Sequence, residues 1–124
     1  MRACFLVIDN EYPGNISTRK LLLESAKMNV ITAYSADEAV ATLKRFPTVD
    51  GIVMDANVEG RPCRELIDRL RAIHERIPVI TVSANGDSPC GGEEYHVSGF
   101  DPRQLLQTIE NCFREKNRPT GAGG

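Results

Sequence analysis

Ile52-Val53-Met54-Asp55 is the stretch that decides how this chain folds. Three apolar residues run without interruption into a carboxylate. A short apolar run closed by a polar residue marks a strand covered on both faces, as in a parallel sheet. The aspartate then stands at the carboxyl end of that strand, facing the crevice where ligands of such sheets bind.

Working outward, the same pattern recurs. Cys4-Phe5-Leu6-Val7-Ile8 ends at Asp9-Asn10-Glu11, and Val79-Ile80-Thr81-Val82 ends at Ser83. Val30 to Ala33 reads as a further strand, and Tyr95-His96-Val97 as a short fifth one leading to Ser98. Helical patterns alternate with these runs. After the turn residues Pro13-Gly14-Asn15 a helix continues to about Met28, with Ile16, Leu22, Leu23 and Ala26 apolar. Ser35 and Glu38 form the S-x-x-E box that opens a helix, which Pro47 closes. Leu66, Ile67, Leu70 and Ile73 keep helical spacing within Pro62 to Glu75. Asp101-Pro102 places a capping acid before a proline at the first helical position, and Leu105, Leu106, Ile109 and Phe113 follow. Strands alternating with helices predict a parallel sheet covered on both sides.

One connection breaks the rhythm. Between Ser83 and Tyr95 lie three glycines and a proline, which do not sustain a helix of ordinary length. A parallel crossover needs about a dozen residues, usually with a helix. An irregular loop or a single turn is expected there instead.

The chain has 124 residues, 41% hydrophobic and 26% charged, enough for one core without metal or disulfide support. A net charge of -2 and scattered basic residues offer no footprint for nucleic acid or an anionic membrane. The five arginines from Arg61 to Arg76 are offset by Glu65, Asp68 and Glu75. No apolar run reaches membrane-spanning length, and no secretory leader is evident. Cys4, Cys63, Cys90 and Cys112 lack CxxC spacing, against a zinc site or a thioredoxin-like motif. Cys4 and Cys112 fall at core positions, whereas Cys90 in its Gly-rich loop is open to oxidation. A reducing cytoplasm is the simplest address. His74 and His96 read as surface or packing residues. The expected domain spans 1–116, and the polar, glycine-rich stretch 117–124 a flexible tail or linker stub.

The strand ends gather Asp9, Asn10, Asp55, Ser83 and Ser98. An aspartate so placed can attack a phosphoryl group to give an aspartyl phosphate, with a neighbouring acid and Mg²⁺ offsetting the charge. In order and placement these residues, with Tyr95 and Phe100-Asp101-Pro102, resemble the receiver domain of response regulators over about residues 3 to 116. The resemblance implies a flavodoxin-like doubly wound α/β fold, a five-stranded parallel sheet of order 2-1-3-4-5. Asp55 matches the phosphoacceptor, Ser83 the switch hydroxyl and Tyr95 the switch aromatic. Asp9, Asn10, Asp55 and the backbone carbonyl of Asn57 match the metal-holding set, with Mg²⁺ as cofactor.

Three departures accompany the match. Asn10 stands where a second acid is expected, which removes charge that hard cations favour. Ser98 replaces the usual lysine and Gly99 the usual proline. Losing such a phosphoryl contact is worth about 3 kcal/mol, by analogy with oxyanion donors. The Ser83-to-Ser98 link is shorter by about two helical turns, so the fourth helix is expected to be shortened or missing. The sequence therefore predicts an atypical receiver of two-component signalling, a protein-interaction module with an incomplete pocket and weak Mg²⁺ affinity, not an enzyme. Its implied partners are a sensor histidine kinase or phosphotransfer protein and a downstream protein; homodimerisation stays open. The alternative is a working receiver phosphorylated on Asp55. A small phosphatase lacks its second acid and lysine here, and a flavin module lacks its phosphate-cradling loop.

Overall fold

The computed structural model describes residues 2–10, 18–58, 60–83, 89–98 and 101–116. Five strands, β1 (Cys4–Ile8), β2 (Asn29–Ala33), β3 (Gly51–Asp55), β4 (Val79–Ser83) and β5 (Tyr95–Ser98), make one parallel sheet of order β2-β1-β3-β4-β5. Four helices, α1 (Thr18–Ser25), α2 (Ala36–Arg45), α3 (Cys63–Ile73) and α4 (Pro102–Lys116), alternate with the strands in part. This is the flavodoxin-like order expected from the apolar runs. The turn at Pro13-Gly14-Asn15, Glu11, residues 84–88, Gly99-Phe100 and the tail 117–124 lie outside the described residues.

Successive strand residues point to opposite faces, so each strand feeds two cores. Leu6, Ile8, Ile52 and Met54 pack with Leu43 of α2 and Leu66, Ile67 and Leu70 of α3. Phe5, Val7, Val53, Ile80 and Val82 pack on the other side with Leu23 of α1 and Leu105 and Ile109 of α4. The strand interiors of β1, β3 and β4 are buried throughout, which is why their sequences show no polar alternation. Gly51 opens β3 because Phe5, its register partner on β1, lies over it: a Cβ there would stand 2.7 Å from Phe5 Cε2.

Local chemistry sets the helix ends. The Ser35 hydroxyl accepts from Glu38 N–H at 3.2 Å, as the box predicts. Asp101 Oδ1 accepts from the N–H groups of Arg103 and Gln104 at 3.0 and 3.4 Å, opening α4. After α1, Met28 N–H donates to Leu23 O at 3.1 Å and Lys27 N–H to Glu24 O at 3.0 Å. That is the Schellman pairing, and it puts Lys27 at φ 69, in the left-handed region that glycine favours. His74 lies just past α3, where its N–H closes on Leu70 O.

Between β4 and β5 the described residues 89–94 contain no helix, and among the described residues the fourth helix, α4, follows β5. The short link is tied down by its own side chains. Glu93 Oε2 accepts from Thr81 Oγ1 at 2.6 Å and from Cys90 N–H at 2.8 Å, while Oε1 takes Gly91 N–H at 2.7 Å. Burial would raise the Glu93 pKa, but hydrogen bonds from Thr81 and from the N–H groups of residues 93, 90 and 91 outweigh it and lower it. Glu94 receives both contacts of Arg71 Nη2, at 2.6 and 2.7 Å, and also Val79 N–H at 2.7 Å. A disulfide joins Cys63, at the start of α3, to Cys90 in the link. Spacing along the chain does not foretell this pair, because only the fold brings residues 27 positions apart together. Cys4 and Cys112, half-buried and buried, take no part in a disulfide. Burial, with Asp50 nearby, pushes the Cys4 thiol up.

Candidate functional site

The carboxyl ends of β1, β3 and β4 lie side by side at the middle of the sheet. Asp55 closes β3, Asp9 follows β1 directly and Ser83 closes β4, fully buried. Asp9 is anchored by its own N–H to Ala33 O at 3.0 Å. Beyond Asp55 the chain turns tightly: Ala56 N–H donates to Val82 O at 2.9 Å, and Asn57 N–H to Asp55 Oδ1 at 2.7 Å. That turn fixes the Asp55 carboxylate and presents the Asn57 carbonyl beside it.

The group that joins these residues is one the strand-end pattern did not reveal. Arg19, on the first turn of α1, is 9% exposed and reaches under the strand ends. Its Nη1 lies 2.7 Å from Asp55 Oδ2 and 3.1 Å from Asp9 Oδ1. Both carboxylates are largely shielded, with side chains 15% and 16% exposed. Opposite charges this close in a shielded setting interact strongly, and guanidinium, weakly hydrated and always charged, is the cation best suited to such burial. The signal was present in the sequence: Arg19 precedes the buried Leu23 by four, and so shares its inward face.

Asn10 lies on the other side of Asp9. Its N–H donates to Asp9 Oδ1 at 2.9 Å, and its Nδ2 donates to the Asn57 carbonyl at 3.0 Å. The four residues expected to face a metal are therefore brought together, but with their polar atoms directed at one another and at Arg19. A divalent ion such as Mg²⁺ needs oxygen ligands, preferably charged and free to converge. Here a guanidinium and an amide N–H face an oxygen on each carboxylate and the carbonyl. As arranged, this donor set does not fit a divalent ion. Among the described residues no three His, Cys, Asp or Glu side chains form a metal-holding group.

Ser98, paired with Ser83 across β4 and β5, stands at the same edge of the sheet and is exposed. Tyr95 does not join this cluster. It sits at the opposite end of β5, roughly 10 Å along the strand, and its hydroxyl donates to Glu115 of α4. That hydrogen bond, with burial and the Glu115 charge, pushes the Tyr95 phenol up to about 12. His96 Nδ1 meets Thr81 Oγ1 at 2.6 Å, a packing role within the sheet. A largely apolar cleft opens beside Arg19 between α1 and α4, lined by Leu22, Val82, Val97 and Leu105.

Residues 5–109 match the response regulator receiver domain family, and the chain belongs to it. A 71-residue stretch is 32% identical to the uncharacterized transcriptional regulatory protein YbdJ of Bacillus subtilis, covering 52% of this chain and 32% of that protein. The chain thus spans about a third of the length of that curated relative. Among solved structures, a CheY-like receiver domain from Methanospirillum hungatei is 18% identical, with a TM-score of 0.83 over 95% of this chain and 98% of that one. A receiver domain from Clostridium thermocellum gives 22% identity and a TM-score of 0.81, over 92% and 96%. The receiver domain of a Pseudomonas aeruginosa sensor histidine kinase, solved with magnesium in its active-site cleft, gives 20% and 0.79, over 91% and 98%. These likenesses fix the fold. The chain is thus a response regulator receiver domain, a signalling module of two-component systems. Among the described residues, no helix is long and apolar enough to cross a membrane.

Proposed function

We propose that this chain is an atypical receiver, a protein-interaction module switched weakly by aspartyl phosphate at Asp55. The observation that supports it is the Arg19–Asp55 ion pair: the acceptor oxygen already has a buried cationic partner. An attacking carboxylate held this way is a poorer nucleophile, since the pairing must loosen before the oxygen reacts. Asn10 and Ser98 point the same way, each supplying less charge than the acid and lysine expected at their positions. In this reading Ser83 is the switch hydroxyl and Tyr95 the switch aromatic, while Asp9, Asn10, Asp55 and the Asn57 carbonyl, the set expected to hold Mg²⁺, are engaged by Arg19 and by one another instead. The functional unit is 1–116, with 117–124 as its tail. It works in the cytoplasm, where the Cys63–Cys90 bond forms only under oxidising conditions, between a sensor histidine kinase or phosphotransfer protein and a downstream protein, without binding nucleic acid or membrane; homodimerisation stays open.

A second reading keeps Asp55 as an efficient phosphoacceptor. It is favoured by the placement of Asp55, which ends a central strand beside Asp9 with its carboxylate still 16% exposed. Reaction with acetyl phosphate at millimolar Mg²⁺, followed by intact mass with Asp55→Ala as control, separates the two. Slow or absent adduct supports the weakly switched module. Rapid Mg²⁺-dependent labelling abolished by Asp55→Ala overturns it in favour of the second reading.

A further inference from the structure

We infer that Arg19 is the resident cation of this pocket, a tethered guanidinium standing where a divalent ion would bridge Asp9 and Asp55, with Asn10 sealing the remaining carbonyl donor. The inference rests on reading Asp9, Asn10, Asp55 and Asn57 as the cation-facing set.

Two independent contacts carry it. First, a single nitrogen, Arg19 Nη1, touches both carboxylates, at 2.7 and 3.1 Å, from a side chain nine-tenths buried. A surface arginine straying onto an acid would be largely exposed; this one is 9% exposed, on the α1 face it shares with the buried Leu23. Second, the Asn10 amide donates to the Asn57 carbonyl at 3.0 Å. An aspartate at position 10 has no side-chain N–H to donate and would repel that carbonyl, leaving it for a cation. The amide turns an acceptor into a donor and closes the set from the other side.

The charge balance shows why the two departures belong together. Two aspartates and one arginine leave a single negative charge among the described residues. Three acids with a divalent ion would leave the same, once the lysine that Ser98 replaces is set aside. Removing an acid at position 10 and replacing a double charge by a single one are thus compensating changes. Either alone would disturb the balance: an acid at position 10 would add unmatched repulsion, and a metal entering beside Arg19 would crowd three positive charges against two carboxylates. A tethered guanidinium, unlike a bound metal ion, cannot be removed by a chelator. The pocket's negative charge is therefore partly offset without drawing on dissolved metal.

The test uses the full chain and Mn²⁺ as the metal probe. Paramagnetic broadening of the Asp9 and Asp55 carboxylate ¹³C signals is followed in wild type, in Arg19→Lys and in the double variant Arg19→Gln/Asn10→Asp, with thermal melts as the folding control. Wild type and Arg19→Lys are expected to show no saturable broadening at millimolar Mn²⁺, and melts insensitive to chelator. The double variant is expected to gain saturable binding at both aspartates, roughly tenfold tighter or more, as an added acid and freed oxygens require. If the double variant folds only with Mn²⁺ present, that too supports the exchange of one cation for another. Saturable broadening of Asp9 and Asp55 in wild type, as tight as in the double variant, overturns the inference whatever the variants do. Acetyl phosphate labelling keeps the two readings apart. Fast labelling of metal-blind wild type would sink the weakly switched module and leave Arg19 as resident cation. Slow labelling of a wild type that binds Mn²⁺ tightly would do the reverse.

Discussion

The Tyr95 hydroxyl, at the start of β5, donates to the Glu115 carboxylate near the end of α4, so the edge strand and the last helix are latched by one hydrogen bond. The Tyr95 phenol is raised to about 12 from an ordinary 10.0. A raised folded pKa means that the latch is fully present below pH 10 and is lost as pH climbs through the folded value. Denaturant melts of wild type should therefore lose stability modestly between about pH 10 and 12, the effect being reduced by solvent screening. Tyr95→Phe should flatten that part of the curve; an unchanged slope would show that the latch does not form.

Glu93 behaves in the opposite sense. Its folded pKa lies below the ordinary 4.5 because Thr81 and backbone N–H groups hold the carboxylate. Its contribution is present above the unfolded value and fades as pH falls through the folded one. Glu93→Gln should lower stability at neutral pH by about 1 kcal/mol, a cost typical of a weakened charge-assisted hydrogen bond. The difference from wild type should shrink on going below pH 4.5. Amide exchange at Cys90 and Gly91 reports the same loss locally.

The disulfide closes a segment of 27 residues, for which chain entropy gives about 3 to 4 kcal/mol. Reduction, or Cys63→Ser with Cys90→Ser, should lower stability in that direction and speed amide exchange in residues 89–94. The sheet order should survive, since Glu93 and Glu94 hold the link through Thr81, Val79 and Arg71. Melts with and without a reductant measure the effect.

Lys27 sits at φ 69 in the turn that ends α1. The left-handed conformation costs a non-glycine residue about 1 kcal/mol or somewhat more. Lys27→Gly should therefore raise stability by about 1 kcal/mol, less whatever the unfolded chain gains in freedom. A loss of stability would mean that the lysine makes a contact outweighing the backbone strain.

The strands were legible because parallel packing leaves them apolar on both faces, and β1, β3 and β4 could be read directly. Helix caps at Ser35 and Asp101 were legible for the same local reason: the donor and acceptor lie within one turn of chain. What escaped were partnerships made only in three dimensions. Arg19 carries no motif: its spacing from Leu23 marks an inward helix face, but not that this face meets an acidic strand end. Glu93 and Glu94 looked like loop polarity, yet each turns inward to satisfy groups on β4. Cys63 and Cys90 carry no motif, and their meeting depends on a link too short to hold an ordinary helix. The strand-end acids were found because their placement is topological; their partner was missed because it is a matter of side-chain reach.

The Cys63–Cys90 bond also makes a covalent ring of the chain, and that ring contains α3 and β4 entire. Pulled by its ends, the molecule can pay out only the segments before and after the ring. Those 27 residues would otherwise extend by about 90 Å, whereas the bridged Cα atoms stand 5.7 Å apart. While the bond is intact, force applied to the ends bypasses the ring, and α3 and β4 can be separated from the sheet only as a linked pair.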